Sequence, residues 1–297
     1  MTQPDLLSVE DELRGYPGNL SEDFRRSAES LSYTLTPEQL AAWANECLML
    51  AHHSLRAWEA TGEYLRASPL VLTRLSFDRF LAWVSHGRDL ADLSASIARS
   101  YFKASPATLA LLPEGELDEW ARLGSSLYKG TWKSISLAGQ FLELSPRLLA
   151  QVDMSEMRTL VAVIDDLAER SYDLAFTCLE SAAQSLAAAA RVDRPAFLGF
   201  ASVLAKHTWA DTRIFFERGP GLVNQIEPST RSRYLRLVAG TAPELTRQTY
   251  GYFAEGSNAL ARIDPALHAS LVARAEPLAA RSGMAAMEFV KSAPEVL

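Results

Sequence analysis

The sequence has little of what marks secreted, membrane-spanning or metal-binding proteins. Only two of its 297 residues are cysteines, Cys47 and Cys178, and they lie far apart inside apolar stretches. We therefore expect buried, reduced thiols rather than a disulfide or a metal pair. No apolar run approaches the ~20 residues of a membrane-spanning helix, so no membrane span is predicted. Residues 1–30 are acidic and polar, which indicates no signal peptide and a cytoplasmic location.

An excess of basic residues is also missing. The formal net charge is -7, and phosphate binding requires a basic face, so we predict no nucleic-acid partner. The richest basic stretch holds Arg231, Arg233 and Arg236. Their spacing is typical of a solvated helix edge.

The motifs of common enzyme classes are absent as well. The sequence contains no GxGxxG, GxxxxGK[ST] or GxSxG motif, and no histidine stands in an HExxH motif or at ExxH spacing from a carboxylate. The histidines are His52, His53, His86, His207 and His268. We predict no catalytic residue, no metal site and no cofactor, and therefore a protein that is not an enzyme. Alternating runs of Val, Ile and Thr are also absent, which favours an all-α fold.

What the sequence does contain is a repeated phrase. Trp43, Trp83 and Trp120 each stand in a first apolar stretch with helical spacing, followed by a polar break and a second apolar stretch. Each second stretch ends in a Ser-Pro step, at Ser68-Pro69, Ser105-Pro106 and Ser145-Pro146. We expect each Ser-Pro step to begin a short third helix.

The same phase continues to the end of the chain. Corresponding positions, some without proline, recur at intervals of 36 to 40 residues at Ser181-Ala182, Gly219-Pro220, Gly256-Ser257 and Ala293-Pro294. Such a period predicts an α-solenoid of about seven 36–40-residue helical-hairpin repeats over residues 35–297. Residues 1–34 precede it as an N-terminal arm or cap.

Local details support these helices. Thr36-Pro37 is typical of a helix start, with threonine as the N-cap and proline in the first turn. Gly87 and Gly124 each follow a repeat tryptophan by four residues. Because glycine weakens a helix by about 1 kcal/mol relative to alanine, its recurrence indicates the close approach of a neighbouring helix.

Two acidic motifs could carry chemistry, and each has a simpler explanation. Asp92–Ser96 spells DxSxS, the metal-coordinating pattern of von Willebrand factor A domains, but a serine N-cap in a helix–helix turn explains it without a metal. Asp165 and Asp166 open a DDxxE stretch like half of the aspartate-rich pattern of isoprenyl-diphosphate synthases. No second acidic motif follows, and a solvated helix end explains the stretch.

Five aromatic residues in the second helical stretches could line a ligand groove or a concave binding face. They are Trp58, Tyr64, Trp132, Trp209 and Tyr250. At helical spacing, aromatic residues belong more often to the core, whereas those on the second helices could also face a partner, as on the concave side of many solenoids.

The second repeat resembles helical repeats in the N-terminal regions of bacterial NorD/CbbO-like von Willebrand A proteins, which partner MoxR-type AAA+ ATPases. The matching residues are Trp83, Gly87, Leu90, Ser94, Tyr101, Phe102, Ser105, Pro106 and Leu109. The resemblance covers residues 36–297 and is strongest up to residue 152. It implies a solenoid arm that recognises a client or docks on the ATPase ring, and it implies no catalytic residue.

Together these observations predict a non-catalytic protein-interaction scaffold or adaptor, with a client or an ATPase as its partner. Two alternatives stay open. One is an all-helical enzyme of prenyl-synthase-like type that uses Asp165 and Asp166. The other is a small-molecule or lipid binder with its site in a groove between repeats.

Overall fold

The computed structural model describes residues 6–54 and 56–296, and this part of the chain is helical throughout, without a β-strand. The prediction of an all-α fold is confirmed. The chain divides into two compact units, Met1–Ala150 and Gln151–Leu297.

The first unit packs its helices in two layers. Its helices are α1 (Leu6–Leu13), α2 (Leu20–Leu31), α3 (Pro37–His52), α4 (Ala57–Leu72), α5 (Phe77–Leu93), α6 (Ala95–Thr108), α7 (Leu117–Ser126) and α8 (Trp132–Leu149). Consecutive helices pair as hairpins, α3 with α4, α5 with α6 and α7 with α8. The even-numbered helices α2, α4, α6 and α8 pack side by side in one layer, and α1, α3, α5 and α7 form the other.

The second unit has the same organisation. Its helices are α9 (Met154–Ala168), α10 (Tyr172–Ala188), α11 (Arg194–His207), α12 (Trp209–Asn224), α13 (Pro228–Leu245), α14 (Thr249–Leu260), α15 (Pro265–Ala279) and α16 (Gly283–Val296). They pair as α9/α10, α11/α12, α13/α14 and α15/α16, and alternate helices again lie side by side within each layer.

The start of α3 shows how the local sequence fixes a helix boundary. The Thr36 hydroxyl accepts a hydrogen bond from the Gln39 backbone N–H, and the Gln39 side chain accepts one from the Thr36 N–H. Pro37 occupies the first turn, where its missing N–H costs nothing. The predicted N-cap is therefore confirmed, and it is completed as a reciprocal capping box.

A column of stacked rings forms the core of the first unit. It alternates between a ring from a first helix and a ring from a second helix. Successive ring centres along it are 4.9 to 6.3 Å apart, in the order Phe24, Trp43, Tyr64, Trp83, Tyr101 and Trp120. All six side chains are buried. The repeated tryptophans are thus the elements through which one hairpin contacts the next.

The Ser-Pro steps belong to this core, and the prediction that they begin short third helices is wrong. Pro69, Pro106 and Pro146 lie inside α4, α6 and α8. In the second and third repeats the serine accepts a hydrogen bond from the tryptophan of its own hairpin. The Trp83 Nε1–H donates to Ser105 Oγ at 2.8 Å, and the Trp120 Nε1–H donates to Ser145 Oγ at 2.9 Å.

A proline inside a helix leaves the carbonyl four residues earlier without its usual donor. For Pro69 that carbonyl belongs to Leu65, and the buried Ser27 hydroxyl of α2 donates to it at 2.8 Å. For Pro220 the carbonyl belongs to Phe216, and the Ser185 hydroxyl donates to it. At these two prolines a serine from another helix replaces the lost donor.

We expect Ser27→Ala to lower the free energy of unfolding by about 1–3 kcal/mol, because it leaves the buried Leu65 carbonyl without a partner. The double variant Ser27→Ala/Pro69→Ala should recover most of this loss, because residue 69 regains an N–H. Denaturant unfolding measures both. The control is Ser32→Ala, whose exposed hydroxyl contacts only its own helix end. An equal loss in the double variant would contradict the explanation.

The glycines that follow the repeat tryptophans accommodate a neighbouring side chain. A Cβ atom on Gly87 would lie 2.0 Å from Cζ of Phe102, and one on Gly124 would lie 2.7 Å from Cδ2 of Leu142. Both neighbours belong to the second helix of the same hairpin. The predicted close approach is confirmed.

The N-terminal helices pack onto the first hairpin. Helix α1 contacts α3, and α2 contacts α4. Val9, Leu13, Leu20 and Phe24 are buried there. The described part of residues 1–34 thus covers one end of the two layers of the first unit.

Candidate functional site at the hairpin turns

The short turns that join the two helices of each hairpin lie along one edge of each unit, because the hairpins pack side by side. We call this the turn edge. In the first unit a hydrogen-bonded pair connects two neighbouring turns, since His53 Nε2 lies 2.8 Å from Asp92 Oδ1.

Trp132 is the most exposed aromatic side chain on the turn edge of the first unit. It is the first residue of α8, and its side chain is 70% exposed. The helix start beneath it is well formed, because Thr131 and Ser134 make a capping box. The Lys133 ammonium lies 5.7 Å from the centre of the Trp132 ring. A tryptophan held on a firm helix start and directed to solvent is typical of a contact residue for a partner.

The corresponding feature of the second unit is Trp209, the first residue of α12, which is 44% exposed. It borders a cavity of about 320 Å³ between the α11–α12 and α13–α14 turns. The lining residues are His207, Thr208, Trp209, Ala210, Asp211 and Arg247.

One residue that lines this cavity, Thr208, and the nearby Thr212 carry hydroxyls without partners. Thr208 is 7% exposed and Thr212 is fully buried. Neither side-chain hydroxyl has a hydrogen-bond partner in the described part of the chain. Thr208 is the N-cap of α12, yet its side chain accepts no hydrogen bond from the helix. Unpartnered buried hydroxyls are rare and costly, and they commonly mark a place for water or a ligand.

The residue before Arg247 in the chain has a strained backbone. Thr246 adopts a φ of 47°, the one positive φ of a non-glycine residue in the described ranges. A β-branched residue with a positive φ destabilises the folded state by about 1–3 kcal/mol. Residues with such strained backbones are found most often at functional sites. The next residue, Arg247, is exposed and lines the cavity.

Burial shifts two ionisable groups at this place. It raises the pKa of Asp211 above its ordinary value. It also raises the pKa of Tyr250, with Arg218 opposing and Asp211 adding to the shift. The Asp211 carboxylate therefore stands in a partly desolvated position beside Trp209.

A second cavity, of about 370 Å³, lies beside Trp58 in the first unit. The turn before α2 closes one side of it, where Gly18 has a φ of 83° and a Cβ atom added to it would lie 3.5 Å from the Trp58 ring. Its charged groups are already paired with each other. The Arg66 guanidinium lies 2.6 Å from Asp23, and Arg99 lies 3.2 Å from Glu59.

The five aromatic residues that the sequence predicted as possible groove residues lie in different environments. Tyr64 is part of the buried ring column. Trp58 and Tyr250 are half-buried, and Trp132 and Trp209 are exposed at helix starts.

The DxSxS stretch is a helix cap. Ser94 is the N-cap of α6, and its hydroxyl accepts a hydrogen bond from the Ser96 N–H at 3.3 Å. The Asp92 side chain pairs with His53. The N-cap explanation is confirmed. Over residues 6–54 and 56–296 no three His, Cys, Asp or Glu side chains form a group that could hold a metal ion.

Asp165 and Asp166 are half-buried near the end of α9. The Asp166 carboxylate lies 3.9 Å from the Lys206 ammonium of α11. Burial raises the pKa of Asp166, Lys206 opposes this shift, and Glu169 and Asp165 add to it. The pair therefore lies beside the neighbouring hairpin, and its use in catalysis stays a prediction.

Histidines connect alternate helices of the first unit. His52 Nε2 lies 2.7 Å from Glu12, and His86 Nε2 lies 2.8 Å from Asp118. In the second unit, His268 Nδ1 accepts a hydrogen bond from the Glu227 N–H at 3.0 Å.

Two of the three arginines in α13 make hydrogen bonds within the fold. Arg231 donates to the backbone carbonyls of Asn224 and Ile226, and Arg233 binds the Glu276 carboxylate through two hydrogen bonds of 2.5 Å. Arg236 is exposed. The predicted solvated edge thus applies to Arg236 and to Arg233, whose side chain is 41% exposed, but not to Arg231.

Both cysteines are buried and free, as expected. Burial raises the pKa of the Cys47 thiol far above its ordinary range and that of Cys178 to about 12. Such thiols are poor nucleophiles, because the reactive species is the thiolate.

Comparison with models of protein families, with curated proteins and with solved structures found no match. No helix in the described part of the chain is long and apolar enough to cross a bilayer.

Sequence reasoning missed Thr208, Thr246 and Arg247. The positive φ of Thr246 and the unpartnered hydroxyl of Thr208 are features of the folded turns. No local sequence pattern predicts either feature.

Proposed function

We propose that the protein is a non-catalytic scaffold that binds a protein partner along its turn edge. In this proposal the hairpin pairs are the repeats of an α-solenoid, about seven in number, and α1 and α2 act as a cap. The supporting observation is the contrast between the tryptophans. Trp43, Trp83 and Trp120 are fully buried, whereas Trp132 is 70% exposed at a helix start. Exposed tryptophans are over-represented among the residues that dominate protein–protein binding.

The resemblance to the N-terminal regions of NorD/CbbO-like proteins identifies the first partner to test, a MoxR-type AAA+ ATPase or its client. The cytoplasmic location expected from the sequence is compatible with such a partner. A small-molecule binder is the second candidate, and the cavity beside Trp209 is the observation that favours it.

The test is a binding experiment on the full chain with three variants. We expect Trp132→Ala to weaken binding of a purified MoxR-type ATPase, or of a client captured by cross-linking, at least about tenfold. Trp209→Ala tests the second unit in the same way. The matched control is Leu70→Ala, which removes a 56% exposed side chain near the far end of α4 from the turn edge.

All three variants should keep the thermal stability of the wild type, because the replaced side chains are exposed. Equal binding by the wild type and both tryptophan variants would contradict the proposed surface. Native mass spectrometry that shows a bound metabolite, lost in Trp209→Ala, would favour the small-molecule binder.

A further inference from the structure

Met49 is an exposed thioether with two hydrogen-bond donors directed at its sulfur. It lies in α3 and is 45% exposed. Asn45 Nδ2, one turn earlier in α3, donates to Met49 Sδ at 3.5 Å, and Arg88 Nη1 of the neighbouring α5 donates to it at 3.6 Å. A thioether sulfur is a weak acceptor. It is therefore a poor partner for an amide and a guanidinium.

A carboxylate of α3 anchors the Arg88 guanidinium beside this sulfur. Arg88 Nη1 lies 3.3 Å from Glu46 Oε2, and the Glu46 side chain is only 15% exposed. The cluster joins two hairpins, since Asn45 and Met49 belong to the first hairpin and Arg88 to the second. Helices α3 and α5 contact each other less extensively than α4 and α6 do. A stronger bond at Met49 would therefore reinforce a thin contact.

The other methionines of the described ranges differ from Met49 in exposure or in their partners. Three of them are buried: Met154, Met157 and Met287. Met284 is 46% exposed, like Met49, but the hydrogen bond in which it takes part runs from its backbone N–H to the Glu244 carboxylate. Met49 thus combines exposure with side-chain donors from two helices.

We propose that Met49 is a site of reversible sulfoxidation by hydroperoxides, and that Asn45 and Arg88 hold the sulfoxide oxygen between the first and second hairpins. In this reaction the sulfur lone pair attacks one peroxide oxygen, and the S–O bond forms as the O–O bond breaks. The hydrogen on the transferred oxygen moves to the departing hydroxide, which leaves as water. The sulfur is oxidised and the peroxide is reduced.

The product places a polar oxygen where two donors already converge. Oxidation of a methionine ordinarily disrupts its surroundings, because it puts a polar group into an apolar contact. At Met49 we expect the opposite effect, since the sulfoxide replaces a weak acceptor. Sulfoxide reductases reverse the change by transferring the oxygen to a dithiol, which yields a disulfide and water. This inference does not depend on the scaffold function.

The experiment compares three variants of the full chain before and after mild treatment with hydrogen peroxide. Met284→Leu leaves Met49 as the exposed methionine of the described residues, Met49→Leu leaves Met284, and the double variant leaves neither. Leucine conserves the side-chain volume. Cys47 and Cys178 should resist the peroxide, because burial keeps both thiols protonated. Mass spectrometry of peptides measures the oxygen gained by each methionine.

We expect Met49 and Met284 to oxidise at least about tenfold faster than the three buried methionines. In Met284→Leu, oxidation should raise the folding equilibrium constant of the first unit about two- to tenfold, the effect of one additional hydrogen bond. In Met49→Leu and in the double variant it should not. Urea unfolding followed by tryptophan fluorescence measures this, because five of the six tryptophans lie within Met1–Ala150. Sulfoxide reductases specific for both epimers should abolish the gain.

Removal of the donors tests the cause of the gain. Asn45→Ala and Arg88→Ala, each added to Met284→Leu, should reduce the gain on oxidation, and both together should abolish it. The matched control is Arg122→Ala, which removes an exposed arginine of α7 that pairs with Glu119 and should leave the gain intact. Three results would overturn the proposal: oxidation of Met49 as slow as that of the buried methionines, no gain after its oxidation, or a full gain without both donors.

Discussion

Replacing Gly87 with alanine should lower the free energy of unfolding by about 1–3 kcal/mol, although alanine is the better helix former by about 1 kcal/mol. The new Cβ atom would lie 2.0 Å from the Phe102 ring, and that ring is fully buried between Tyr64 and Trp83. It has no free space to enter, so the overlap outweighs the gain in helix propensity. Denaturant unfolding followed by tryptophan fluorescence measures the loss.

A second substitution tests the cause of this loss. In Gly87→Ala/Phe102→Leu the smaller side chain should leave room for the Cβ atom, and the double variant should be more stable than the sum of the single changes predicts. The matched control is Gly240→Ala, an exposed helical position where a Cβ atom would meet nothing within 4 Å. This control should be stabilised by up to about 1 kcal/mol. Simple additivity in the double variant would contradict steric overlap as the cause.

The sequence was sufficient to predict the helices and their pairing in hairpins. The reason is that the repeat tryptophans and their neighbours follow helical spacing, and that polar breaks separate the helices of each pair. His52, for example, ends α3 where the first polar break begins. Such information is local, and helix boundaries depend on local capping groups such as those of Thr36 and Ser94.

The Ser-Pro steps show where local reasoning fails. A proline after serine usually indicates a helix start, and this explains the wrong prediction of third helices. The helix continues through Pro69, and the hydrogen bond that this proline removes is replaced by Ser27, which lies 38 residues before its acceptor Leu65. That donor comes from another helix, and no window around Pro69 contains it.

The candidate site was predictable only in part. The sequence pointed to Trp132 and Trp209 as second-helix aromatic residues, but periodicity does not separate them from Tyr64, which is buried. Both exposed tryptophans are the first residue of a helix. Arg247, which lines the cavity, directly follows the strained Thr246.

Replacing Trp83 with alanine should have the largest effect of any single change in the ring column, about 3–5 kcal/mol of unfolding free energy. The Trp83 ring is fully buried, and its centre lies 5.8 Å from that of Tyr64 and 5.0 Å from that of Phe102. Its removal opens a cavity between two hairpins and deprives Ser105 of the indole donor. Because the first unit is held together by such contacts, the loss should appear in its cooperative unfolding.

Two further variants separate the contributions of the indole. Trp83→Phe keeps an aromatic ring in the column and loses the Nε1–H, so its loss should be smaller than that of Trp83→Ala. Trp132→Ala removes the same side chain from an exposed helix start and should change stability by less than about 0.5 kcal/mol. Equal losses at Trp83 and Trp132 in denaturant unfolding would show that the ring column is not the core of this unit. A large loss at Trp83 alone would establish that the repeated tryptophan joins the hairpins and that the exposed one does not contribute to the core.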